Sequence, residues 1–144
     1  MKTIESEITI NASVDRVWSV LMDFTAYPDW NAFIPYLTGN PVVGSKWKVT
    51  IHPPGGSKMK FSPVCTRLEY GKYMQWKGNL FIPGLFDGQH NFSLMPIGED
   101  KTLLKQFENF SGILVPVLWK SLYKKTLTGF NLMNQQLKYR VEKS

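Results

Sequence analysis

The segment from about Val115 to Glu142 constrains the fold more than any other part of this chain. Val115, Trp119, Leu122, Phe130, Met133, Leu137 and Val141 recur at spacings of three and four, with only Thr126 polar among them. That pattern predicts one long helix with a single apolar stripe. Such a helix is stable only when an apolar surface of matching length lies against the stripe. Lys120, Lys124, Asn131, Asn134 and Lys138 fall off the stripe. Gly129 costs about 1 kcal/mol against alanine in a helix, and marks either a bend or a close approach.

The surface to receive this helix is legible upstream. Thr3 to Ile10 alternates, with Ile4, Ile8 and Ile10 on one face, and reads as a half-buried strand. Ser13 offers an N-cap before Val14, Val17, Trp18 and Leu21, which follow at helical spacing. Pro28 breaks that helix and opens a second short one near Ala26 to Asn31. From Tyr36 onward the period becomes two, with Trp47, Val49 and Ile51 alternating against Lys46, Lys48, Thr50 and His52. Pairing His52 with Lys58 sets Val49 opposite Phe61 and Ile51 opposite Met59, giving one apolar and one basic face. Val64 to Glu69 is expected to continue that strand through a bulge at Pro63. Met74 and Trp76 share a face in the next strand. Asn79 to Gly88 reads as an apolar loop broken by Pro83 and Gly84, and strands follow near Gln89 to Met95 and Thr102 to Phe110.

This order predicts an α+β domain spanning residues 1–144. About seven antiparallel strands form a curved sheet, and two short helices and one long C-terminal helix enclose a cavity with it. The stretch INASVDRVW (residues 10–18) followed by DFTAYPDWN (23–31) resembles the opening of the polyketide cyclase/dehydrase-like branch of the START/Bet v 1 helix-grip superfamily, SRPBCC. GQHNFSLMP (88–96) and TLLKQFENFSG (102–112) look like its paired last strands, and GFNLMN (129–134) like its closing helix. The resemblance implies a cavity between sheet and last helix. It does not imply one activity, because such proteins include hormone and lipid binders as well as aromatic cyclases.

The polar content of the cavity decides between those roles. A hairpin turning about Glu99 places His90 opposite Glu108, Phe92 opposite Gln106 and Leu94 opposite Leu104, all on the inner face. Asn91, Ser93, Lys105 and Asn109 take the outer one. Glu108 would then fix the tautomer of His90, which orients a polar group of a ligand or acts as a general acid or base. The plainer reading of the pair is a satisfied polar brace of the inner sheet, with Gln106 completing the network. Trp47, Phe61, Trp76, Phe81, Phe86, Phe92, Gln106, Phe110, Trp119, Phe130 and Met133 complete the candidate ligand-binding set. Phe81 and Phe86 belong to an apolar rim where the Pro53 to Ser57 loop, the Asn79 to Gly88 loop and the Ser111 to Val115 junction should meet.

Other chemistries find little support. Neither His52 nor His90 has partners at metal-ligand spacing, and no glycine-rich phosphate loop is present, so no metal or cofactor is expected. Cys65 is alone, which excludes a disulfide framework. Glu5 and Glu7 interrupt the N-terminus before any apolar run, and the reading is a cytoplasmic protein. The formal net charge of +6 is dispersed over lysines rather than gathered with aromatics, which argues against nucleic acid. The expected partner is a hydrophobic or aromatic small molecule, lipid or polyketide-like, held by a monomer or weak homodimer. Binding is favoured over catalysis. The rivals are a cyclase or dehydratase using His90 and Glu108, and a basic adaptor docking on membrane or nucleic acid.

Overall fold

Alternation and capping become architecture in the computed structural model, which describes residues 1–80 and 82–143. Phe81 lies outside the described residues. The elements are β1 (Lys2–Ile10), α1 (Val14–Met22), α2 (Tyr27–Trp30), β2 (Tyr36–Thr38), β3 (Lys48–Ile51), β4 (Met59–Phe61), β5 (Val64–Glu69), β6 (Tyr73–Leu80), β7 (Phe86–Gly98), β8 (Lys101–Ser111) and α3 (Val115–Lys143). Ser13 caps α1 by accepting from the Arg16 amide, and Pro28 sits in the first turn of α2. The short β2 begins at Tyr36, where the period-two signal starts.

The strands form a five-stranded sheet, β1-β8-β7-β6-β5, and a three-stranded sheet, β2-β3-β4. All pairings are antiparallel, and Val49 faces Phe61 and Ile51 faces Met59 as the alternation predicted. The passage at Pro63 is a correction. The chain does not bulge there but leaves one sheet for the other, because proline has no N–H to give a ladder. The register shift comes later, between Cys65 and Arg67. Backbone bonds from Trp47 to Pro63 and from Cys65 to Ser45 stitch the two sheets into one curved wall. Burial pushes the Cys65 thiol up from its ordinary pKa, in keeping with a core residue.

The apolar segment after Gly78 is a second correction. β6 and β7 pair through Gly78–Gly88, Asn79–Asp87 and Leu80–Phe86, so the expected long loop shrinks to a hairpin tip. Asp87 closes that tip by accepting from the Gly84 amide at 3.2 Å.

The two halves of α3 are held differently. Phe130, Met133, Leu137 and Val141 are fully buried, whereas Trp119 and Leu122 are only partly covered. Glu142 anchors the far end, accepting from the Asn11 amide at 2.8 Å and from Lys138. The Lys138 ammonium, with the Asn11 amide, holds the Glu142 carboxyl below its ordinary pKa. Asn134, off the apolar stripe, is buried because it has partners there: Gln106 and Ser6. Asn91 keeps its outer face yet is also buried, beneath Tyr73 and Gln75, which both donate to it.

Gly129 serves close approach rather than bending. A Cβ there would sit 2.2 Å from the Phe33 ring. Gly129→Ala recovers about 1 kcal/mol of helix propensity but forces that ring aside, so a net loss of about 1–2 kcal/mol is expected. Urea unfolding checks this, and a raised midpoint would mean that Phe33 swings away freely.

Candidate functional site

Curvature of the sheet leaves a space of about 320 Å³ between its concave face and the first half of α3. That volume suits a small organic molecule. Phe61, Trp76, Phe86 and Phe110 form apolar wall, and Phe33, Ile51 and Met59 extend it from the smaller sheet and its flank. Pro53, Gly56 and Ser57 edge the space opposite Leu118, Ser121 and Lys125 of α3. The hairpin tip is tied to the helix start, since the amides of Ile113 and Leu114 donate to Gly84 and Leu85. The three loops therefore meet at one rim.

Glu108 puts a carboxylate into this wall. Gly88 makes room for it: a Cβ at Gly88 would lie 2.4 Å from Glu108 Oε2. The other carboxylate oxygen approaches His90, its register partner on β7, with Oε1 3.3 Å from Nδ1. The approach is near enough for attraction of a charged ring but out of line for a hydrogen bond, and Nδ1 has no hydrogen-bond partner.

His90 itself does not reach the cavity. Its side chain is fully buried, stacked on Trp76 at 4.7 Å and flanked by Phe92 at 4.9 Å and Phe130 at 5.1 Å. Nε2 lies 2.9 Å from Gln106 Oε1. The Gln106 amide nitrogen donates to Asn134 Oδ1 at 2.8 Å and to the Phe130 carbonyl at 3.5 Å. The Asn134 amide nitrogen in turn donates to Ser6 Oγ at 2.9 Å. With its nitrogen committed to two oxygens, Gln106 can offer His90 only an acceptor, so Nε2 carries the hydrogen. Nδ1 is left on the side of Glu108.

Among the candidate residues, Phe61, Trp76, Phe86, Glu108 and Phe110 border the cavity, whereas Trp47, His90, Phe92, Gln106, Trp119, Phe130 and Met133 do not. Trp47 is fully buried against Trp76 and donates from Nε1 to the Asn40 carbonyl at 2.6 Å. Trp119 meets Phe110 edge-on at 6.2 Å, and Lys2 lies over its ring. The sequence reading missed Leu118, Ser121 and Lys125, which lie beside the apolar stripe where α3 spans open space. Phe33 had no periodic signal. No group of three or more His, Cys, Asp and Glu side chains able to hold a metal occurs among the described residues.

The sequence profile described as polyketide cyclase/dehydrase and lipid transport matches residues 1–131. The chain belongs to that family. No curated protein matches it in sequence. Solved structures similar in fold include the Zhui aromatase/cyclase from Streptomyces sp. R1128, at 13% identity and TM-score 0.80 over 99% of this chain and 94% of that one. A START superfamily protein from Mycobacterium smegmatis is similar at 22% identity and TM-score 0.73, covering 98% and 97% of the two chains. Norcoclaurine synthase from Thalictrum flavum, in complex with dopamine and hydroxybenzaldehyde, is similar at 16% identity and TM-score 0.71, covering 99% and 87%. The polyketide cyclase/dehydrase family thus shares the helix-grip α+β fold seen here. No helix of the described residues is long and apolar enough to cross a membrane.

Proposed function

We propose that this chain binds a hydrophobic or aromatic small molecule between its sheet and α3, with Glu108 orienting a polar hydrogen of the ligand and His90 steadying Glu108 from behind. The observation that carries this reading is one carboxylate set into a mainly aromatic and aliphatic wall, above a glycine that leaves it space. A carboxylate among mainly apolar surfaces fixes orientation without demanding a charged ligand. The norcoclaurine synthase complex supports the size and aromatic character of such a ligand.

Acid–base chemistry on a bound carbonyl compound, as in a cyclase or dehydratase, is the second reading. Here it runs through Glu108, because the His90 ring is enclosed and its Nε2 is committed to Gln106. His90 then stands behind Glu108 rather than against the ligand.

Two probes test the binding role: 2-naphthol, which can donate a hydrogen bond, and 2-methoxynaphthalene, which cannot. Quenching of tryptophan fluorescence should show 2-naphthol binding about tenfold tighter, the worth of one hydrogen bond to a charged group. Glu108→Gln should shrink that preference, and Gly88→Ala should do so by displacing the carboxylate, with little change in stability. A preference untouched by Glu108→Gln would remove Glu108 from the reading. Failure of both probes to bind would remove the cavity.

A further inference from the structure

Three aliphatic side chains stand in water beside the cavity rim. Ile82, Ile113 and Val117 are 60%, 71% and 78% exposed. They sit together because the Leu85 amide bonds back to Ile82, while the amides of Ile113 and Leu114 bond to Gly84 and Leu85. Val117 stands in the first turn of α3, just after the turn that holds Ile113, and Lys120 and Lys124 continue from Val117 at helical spacing. The neighbouring line carries Leu118, Ser121 and Lys125, which border the cavity.

Charge on the helix side of this patch has one sign. No Asp or Glu occurs between residues 30 and 68 or between 109 and 141, and these segments supply two of the three loops at the rim. Asp87, nearest along the chain, is turned onto the Gly84 amide.

We infer that the face formed by Ile82, Ile113 and Val117 with Lys120 and Lys124 docks on an anionic lipid bilayer. Aliphatic tips enter the headgroup boundary while lysines meet lipid phosphates, a combination that apolar surface and cationic charge favour together. A nucleic acid would satisfy the lysines and leave the aliphatics in water. A second copy of this chain would cover the aliphatics and bring two lysine sets face to face. The bilayer satisfies both groups. It also sets the cavity rim against the membrane, so that an apolar molecule could pass without crossing water. The docking itself needs nothing in the cavity.

Co-sedimentation of the full chain with vesicles tests this. Binding is expected to phosphatidylcholine vesicles that contain phosphatidylglycerol, to weaken as salt is raised, and to be slight with phosphatidylcholine alone. Lys120→Ala with Lys124→Ala should weaken it roughly 25-fold, about fivefold for each charge. Ile113→Asp with Val117→Asp, at exposed positions that leave folding intact by circular dichroism, should abolish it. A wild-type chain that stays in the supernatant with phosphatidylglycerol vesicles overturns the inference. So does an aspartate variant that binds as well as wild type. A dimer by light scattering that the aspartates split would assign the face to a second copy instead.

Discussion

Trp76→Ala should lower the stability of this protein by about 3–5 kcal/mol, the usual cost of deleting a buried large aromatic. Trp76 is 4% exposed and stands between two layers of the molecule. One face of its ring stacks on His90 at 4.7 Å, and its edges meet Trp47 at 5.9 Å and Phe92 at 5.8 Å. On its remaining side it is cavity wall. Its loss joins the cavity to the space in front of Trp47 and leaves the imidazole of His90 without a stacking partner. Guanidinium unfolding measures the effect. A loss below about 1 kcal/mol would mean that the neighbours collapse into the gap, since the cost depends on how well a site can close.

The second large effect belongs to Gln106. Gln106→Leu conserves volume but strips the acceptor from His90 Nε2 and the donor from Asn134 Oδ1 and the Phe130 carbonyl. Buried groups left unpaired cost about 1–3 kcal/mol each, so a loss of about 3 kcal/mol is expected after partial relaxation. A second readout separates positioning from mere packing. Nitrogen NMR of the His90 ring should place the hydrogen on Nε2 in the wild type, and that preference should be lost in Gln106→Leu. Gln106→Glu, which keeps an acceptor oxygen, should restore it. An unchanged tautomer in Gln106→Leu would show that something other than Gln106 sets the ring.

The registers that build this site were legible because polarity reports on faces. A slip of one residue between β7 and β8 would turn Lys105 inward, and the observed pairing of His90 with Glu108 and Phe92 with Gln106 is the one that avoids it. The rule fails where a polar residue brings its own partners inside. Asn134 and Asn91 are buried for that reason, and a sequence pattern cannot see a hydrogen bond to Ser6 or Tyr73. It fails again at a hollow. Over an empty space no facing side chain demands an apolar one, so Ser121 and Lys125 stand at the cavity unannounced by the stripe. Trp47 and Phe92 illustrate the reverse. Both were correctly placed indoors, but alternation cannot tell a wall from the packing behind it.

The uneven seating of α3 bears on how such a protein diversifies. Residues 130–141 are clamped to the sheet and carry the fold, while residues 115–126 span the cavity and meet whatever occupies it. Stability and ligand choice are therefore written on separate halves of one helix. Substitutions in the spanning half can drift toward new molecules while the clamped half holds the architecture constant. A single scaffold can thus explore many chemistries by varying about three turns of helix.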